Sequence, residues 1–401
     1  MSEWTLEDAC PCKINGQIKN QNEIKAEKDI KMNTIFPEIK KNFGFGCMRL
    51  PLLENGEVNN EEFCKMIDTF IAEGFNYFDT AHMYVNGKSE PALKECLTSR
   101  HAREEYLLAD KLSNNYFQTE ADIRPFFESQ LALCGVDYFD FYLMHAQNAR
   151  YYEKYNACRA YEIAKELKDE GKIRHVGMSF HDTAEVLDQI LTEKPFIEFV
   201  QIQFNYLDYE DAGVQSRLCY EVCRKHNKPV WIMEPVKGGR LVNLPADAQA
   251  IYDALGGGSN ASYAIRYSAS FEGMTMVLSG MSNMAQMMDN LSYMKDFKSL
   301  SEAEFEAVSK VCAILRRQDL IACTACRYCE EGCPKKIAIP DLFSCLNAKQ
   351  QGENGAEEAY AKFTEGRGKA SDCIGCGKCE KVCPQKLRIR THLKNVAKQF
   401  D

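Results

Sequence analysis

From residue 42 to residue 295, short apolar runs alternate with amphipathic stretches of helical period. The runs are FGFGCM, NYFDTA, YLLADKL, FDFYLMH, IRHVGMSF, FVQIQFNYL, PVWIMEP and TMVLSGM. Between them lie segments such as EEFCKMIDTFIAEG, EADIRPFFESQLALCG and AYEIAKELKDEGK. A strand-length run followed by a helix predicts a βα unit with parallel strands. Eight such units in ~250 residues is the number that closes a (β/α)8 TIM barrel, of class α/β. Gly74, Gly135 and Gly171 each follow a helical pattern, where a left-handed residue ends a helix at low cost. No G-x-G-x-x-G follows the first run, and Gly44-Phe45-Gly46 is too short to serve as a dinucleotide fingerprint.

The pattern changes after residue 298. SEAEFEAVSKVCAILRRQ predicts one connecting helix within 299–320, and 321–401 form a small, mostly helical unit. Residues 1–40 read as a polar, Lys-rich leader ahead of the barrel at 41–298. No run of ~18 apolar residues predicts a membrane span, and the acidic start MSEWTLEDAC has no apolar secretion segment. A net charge of −9 argues against nucleic acid as the main partner.

Cysteine changes the picture. The chain has 19, an odd number without an export signal, which points to thiols and metal ligands in a reducing cytoplasm. Eight lie in two copies of one pattern. Cys323-x2-Cys326-x2-Cys329-x3-Cys333-Pro334 repeats as Cys373-x2-Cys376-x2-Cys379-x3-Cys383-Pro384. This is the bacterial ferredoxin run for [4Fe–4S] clusters, in which the fourth cysteine ligates the other cluster. That crossing predicts one cluster on Cys323, Cys326, Cys329 and Cys383, and a second on Cys373, Cys376, Cys379 and Cys333. Structural zinc is the competing use of C-x2-C. The insert between the runs, with Cys345, reads as two helices and resembles helical ferredoxin domains fused to redox enzymes. The remaining cysteines read as buried free thiols, apart from Cys10 and Cys12 in the leader, whose role stays open.

The strand ends carry the second chemistry. The second run ends NYFDTAHMYVNGKSE, the third LLADKL and the fourth FDFYLMHAQ. In these motifs the chain resembles the aldo-keto reductase family over residues 42–295. The resemblance implies a catalytic tetrad of Asp79, Tyr84, Lys111 and His145 on the C-terminal rim, where barrel enzymes build their sites. Tyr84 would protonate the alkoxide, with its pKa lowered by Lys111, which Asp79 holds; His145 would orient the carbonyl. The resemblance also implies an NAD(P)H site. Ser179, Gln203 and Met233 would face the nicotinamide. Ser279, Gly280, Ser282, Gln286, Asp289 and Asn290 would lie at the phosphate and adenine end. The family's amide partner of the serine is here Phe180. Gly280 and Gln286 stand where NADPH-specific members carry cations, so little preference for NADPH is expected unless Lys237 or Arg240 reaches over.

One-electron clusters beside a hydride-transfer barrel leave several readings open. One is an aldo-keto reductase-type enzyme acting on a small carbonyl substrate, with clusters that couple to or regulate it. Another is an FMN-containing electron-transfer reductase fed by ferredoxin or another carrier. A third is a redox-sensing module, which would not require an intact tetrad. Tyr-rich residues 146–160 are expected to form one wall of the substrate site. Labile clusters point to the cytoplasm of an anaerobe.

Overall fold

A computed structural model describes residues 35–318 and 320–401. Cys10 and Cys12 lie outside the described residues.

Eight parallel strands close a barrel in sequence order: β1 (Phe43–Gly46), β2 (Tyr77–Asp79), β3 (Leu107–Leu112), β4 (Phe139–Gln147), β5 (Ile173–Phe180), β6 (Phe199–Gln203), β7 (Val230–Met233) and β8 (Met274–Ser279). The ring is completed by β1 on β8, with Phe45 opposite Ser279. All eight coincide with the apolar runs. Each is buried on both faces, so its sequence is continuously apolar instead of alternating.

The barrel interior is filled by large side chains, among them Tyr77, Phe141, Phe199, Trp231, Met276 and Leu278. Gly44 makes room for them, because a Cβ there would lie 2.8 Å from both Leu278 and Tyr77. Below the strands, Phe36 closes the floor. It is 1 % exposed, with its ring 5.1 Å from Trp231 and 5.6 Å from Phe141. His175, paired with Glu38 at 2.7 Å and Glu198 at 2.9 Å, ties this floor to β5.

The helix Glu302–Arg317 is started by a capping box, in which Ser301 and Glu304 bond each other's backbone N–H. Its Phe305, Val308, Val311 and Leu315 belong to the barrel's core cluster, and Arg266 pairs with Glu304 at 2.6 Å. It therefore packs as an outer helix of the barrel as well as leading to the tail.

The tail repeats itself at an offset of 50 residues. Short helices Tyr328–Glu331 and Lys378–Lys381 each follow a left-handed residue, Arg327 and Gly377. Left-handed Lys336 and Lys386 then precede long helices beginning at Ile339 and Ile389. Helices Ile339–Gln350 and Ala356–Thr364 contain the insert, as its sequence predicts. Leu342, Phe343, Leu346, Leu393 and Val396 make a second, separate core.

Eleven cysteines lie outside the two runs, and the expectation of free thiols needs one correction. Cys64 of helix Asn60–Ala72 and Cys96 form a disulfide, with Cα atoms 4.6 Å apart. They are 32 residues apart in sequence, and only helix packing brings them together. Cys47, Cys134, Cys158, Cys219, Cys223, Cys312 and Cys345 are buried and free.

Candidate active site at the barrel mouth

The four residues of the expected tetrad converge at the C-terminal ends of β2, β3 and β4. Asp79 ends β2, Lys111 lies in β3 and His145 in β4; Tyr84 opens the short turn Tyr84–Gly87 after β2. Lys111, 1 % exposed, donates from Nζ to Asp79 Oδ1 and to the Thr80 carbonyl, both at 2.6 Å. The same ammonium is 4.9 Å from the centre of the Tyr84 ring. Tyr84 and His145 meet edge to face at 6.1 Å.

Burial sets the protonation of this group. It raises Asp79 above the ordinary carboxylate range, and Lys111 partly offsets the rise. Burial first, then the charges of Asp79 and Asp110, push the Tyr84 phenol well above its ordinary value. The expected acidification of Tyr84 by Lys111 is therefore not the net direction in the resting site. The Lys111 proton-bearing nitrogen is already held by Asp79 and Thr80, while the phenol is desolvated. Burial holds His145 neutral. Its Nδ1 lies 2.6 Å from Ser113 Oγ; a Ser113 hydroxyl donating there puts the ring proton on Nε2.

Behind β3, Glu90 and Asp110 form a buried carboxyl pair that shares a hydrogen bond. Glu90 is raised to about 7 by burial, and His82 Nδ1 lies 2.7 Å from it.

The residues expected at the nicotinamide are less uniform. Gln203, 5 % exposed, has its Oε1 3.2 Å from His181 Nδ1 and a buried Nε2 with no partner. Ser179 Oγ accepts from Ala146 N at 2.7 Å and keeps its own proton to donate. Met233 ends β7, half-buried. An orphaned amide donor and a hydroxyl free to donate, on the adjacent strands β6 and β5, fit a carboxamide. At the far end the side chains satisfy one another. Asn290 donates to Ser279 Oγ at 2.8 Å, Ser259 to Asp289 at 2.7 Å, and Ser282 N to Gln286 Oε1 at 2.8 Å. Gly280 packs under Arg49, a cation from the loop after β1 that no local motif marks for this end. Lys237 does not reach this end. It is buried in an ion pair with Asp208 and donates to Gln385 at 3.1 Å. Arg240 is held near Asp208 and Tyr206.

The cysteine tail is docked on the barrel mouth. The Thr324 carbonyl accepts from Arg49 and Thr324 faces Glu234. Gly238 has φ +65°, and a Cβ there would lie 2.7 Å from the Thr324 carbonyl oxygen, so this loop position requires glycine. Lys386 pairs with Asp182 at 3.0 Å. Tyr328, between Cys326 and Cys329, comes within hydrogen-bonding reach of Tyr84. Nothing in the local sequence marked it, because its role depends on the docking.

The cysteines gather into two groups. Cys383 acts electrostatically on Cys323, Cys326 and Cys329, whereas Cys333 lines one concavity with Cys373, Cys376 and Cys379. Each run thus sends its fourth cysteine to the other. Burial pushes Cys323 up to about 11 and Cys326 up to about 12, and neighbouring thiols add to both. Four crowded soft donors of this kind fit an iron–sulfur cluster, whose positive irons offset the repulsion among thiolates.

A cavity of about 750 Å³ separates barrel and tail. Ser113, His145, Asn148, Arg150 and Tyr151 line it from the barrel, the last three from the Tyr-rich stretch after β4. Tyr328, Lys378, Lys381, Cys383 and Lys386 line it from the tail. The volume is that of a small-molecule site.

With this geometry in place, known proteins supply a comparison. The pattern of the "Aldo/keto reductase family" matches residues 42–313, and that of a "4Fe-4S dicluster domain" matches 322–387. The uncharacterized oxidoreductase YqkF of Bacillus subtilis is 26% identical over 213 residues, 51% of this chain and 63% of its own length. A probable NAD(P)H-dependent D-xylose reductase of Aspergillus terreus is 30% identical over 165 residues, 39% and 49%. The chain thus spans about half to three-fifths of these curated relatives. Among solved structures, aldo-keto reductase AKR11C1 from Bacillus halodurans superposes with TM-score 0.56 at 23% identity, covering 67% of this chain and 91% of that one. A Klebsiella pneumoniae aldo-keto reductase in complex with NADPH gives 0.55 at 19%, covering 67% and 90%. At such identities these two show the fold alone. Among the described residues, no helix is long and apolar enough to cross a membrane.

Proposed function

The chain belongs to the aldo/keto reductase family, and on that premise we propose that it reduces a small carbonyl or related substrate in the cavity between barrel and tail. The observation that carries this reading is the buried Lys111–Asp79 pair beneath Tyr84, next to a neutral His145 that lines the cavity.

The carbonyl oxygen is held by Nε2–H of His145 and by the Tyr84 hydroxyl. Because burial keeps the phenol protonated, Tyr84 has its proton when negative charge develops on that oxygen. Lys111 then acts on the phenolate left behind. Its ammonium, fixed by Asp79 and Thr80, stabilises the anion only as it forms, so the gain falls in the transition state. General-acid catalysis of this kind is worth ~10²–10⁴-fold.

A nicotinamide dinucleotide, when bound, supplies the hydride; Gln203 Nε2 and the Ser179 hydroxyl would hold its carboxamide. Cys323, Cys326, Cys329 and Cys383 would hold one [4Fe–4S] cluster, and Cys373, Cys376, Cys379 and Cys333 the other, both suited to single-electron exchange with a ferredoxin or similar carrier. Such clusters suit the reducing cytoplasm.

The test is turnover of a carbonyl panel by anaerobic holoprotein, with NADH, NADPH or reduced ferredoxin as reductant. A Tyr84→Phe protein that turns over like wild type would refute the acid role. Flavin released on acid precipitation would replace the dinucleotide with FMN.

A further inference from the structure

We infer that the substrate is an anion, a carbonyl compound carrying a carboxylate or phosphate, recognised by Arg150 of the barrel together with Lys378 and Lys381 of the tail. The inference rests on the reading of the cavity as the substrate site.

The charges lining that cavity do not cancel. Lys386 is spent on Asp182 at 3.0 Å, and Glu380 on Arg390 at 2.8 Å. Arg150, Lys378 and Lys381 line the same space and form no ion pair among the described residues; against them stands one unpaired acid, Glu331. His145 and His181 add no charge, since burial holds both neutral, His181 at about 4. Three cations against one acid is a local reversal in a chain whose net charge is −9. Solvated lysines on an open surface would be unremarkable. Each of the three is itself exposed, but they converge from two domains on one space that also contains His145, and a cleft concentrates counter-ions.

The arrangement also assigns the tail a second task. Lys378 and Lys381 sit on the short helix of the second cysteine run, so the domain that carries the cysteines also completes the substrate site. A neutral carbonyl compound would offer these cations no counter-charge beyond Glu331 and, for Lys378, the outer cysteines whose concavity it also borders.

The test uses anaerobic holoprotein and two pairs that differ by the anionic group, pyruvate against acetone and dihydroxyacetone phosphate against dihydroxyacetone, titrated calorimetrically. At least one anion is expected to bind about tenfold or more tightly than its neutral counterpart, and the pair showing the preference tells carboxylate from phosphate. Lys378→Gln with Lys381→Gln should reduce that preference about tenfold, and Arg150→Gln should reduce it separately. Lys394→Gln, on the outer helix of the same domain, controls for general charge, and iron content confirms intact folding. Equal affinity within both pairs, no binding of either anion, or an undiminished preference in the double variant would overturn the inference. Binding is read without turnover, so the two readings can fail apart. An active Tyr84→Phe protein sinks the catalytic reading while anion binding stands. Turnover of neutral carbonyls with no anion preference sinks the inference and leaves the tetrad.

Discussion

The two cysteine runs are near copies in sequence and local backbone, yet their surroundings differ. The group of Cys323, Cys326, Cys329 and Cys383 faces the barrel mouth, with the Glu234 carboxylate acting on three of its thiols and Tyr328 leading from it to Tyr84. The group of Cys333, Cys373, Cys376 and Cys379 lies on the outer side. Cys376 is exposed and nearby Ile374 is 61 % exposed, the largest such value among the large apolar side chains of the described residues. One motif thus produces two environments, because docking, not local sequence, decides which copy is covered. On the proposed reading this gives the tail a direction: carriers meet the outer group, and the inner group adjoins the substrate.

The largest expected effect breaks the comparison at the ligands. Cys329→Ala should remove the inner four irons and abolish activity driven by a one-electron carrier. Cys376→Ala should remove only the outer four. Cys333→Ser is the sharper variant. Although it lies in the first run, it should damage the outer cluster, as iron and sulfide analysis with electron paramagnetic resonance would record. Loss of the inner cluster instead would show that each run keeps its own fourth cysteine.

Next in size is the tetrad. Tyr84→Phe should lower kcat ~10²–10⁴-fold and leave both clusters and ligand affinity in place. Lys111→Met should cost a comparable factor and destabilise the fold as well, because Asp79 would be left buried without its cation. Steady-state kinetics and calorimetry separate the two.

A smaller effect tests the docking. Gly238→Ala places a Cβ against the Thr324 backbone at a left-handed position, a strain of about 1–3 kcal/mol. The inner group should lose its protection, seen as faster hydrogen exchange at 322–328, while the outer group is unchanged.

The smallest effect concerns pH. The folded-state pKa of Glu90, about 7, stands above its ordinary value near 4.5. The stability it contributes is fully present below that ordinary value and is lost as pH rises through about 7, when the pair Glu90–Asp110 takes on a buried charge. The barrel's melting temperature should fall from pH 6 to pH 8, and Glu90→Gln, which removes the titrating group, should flatten the dependence. The tail has no such pair, so its transition should move less.

Much of this was legible in the sequence because the signals are local. Each strand is an apolar run bounded by polar turns, and Asp79, Lys111 and His145 fall at strand ends that one periodicity argument locates. The cysteine spacing is equally local. What stayed hidden depends on contacts far apart in sequence. Arg49 meets Thr324 across 275 residues, and Tyr328 reaches Tyr84 only after the tail docks. The direction of the phenol's shift was misjudged for the same reason. Burial, then Asp79 and Asp110, raise the phenol, and the single cation that the motif displays does not reverse them. The Cys64–Cys96 pair required knowing which helices touch.

Phe36 has a consequence beyond packing. By sealing the floor beneath Tyr77, Phe141, Phe199 and Trp231, it turns the barrel interior into an insulator with one open face. Water cannot screen Lys111 and Asp79 from below, so the field lines of that buried pair spread upward through the mouth. That is where Tyr84, the cavity and the inner cysteines lie, and where any change of charge is most strongly felt.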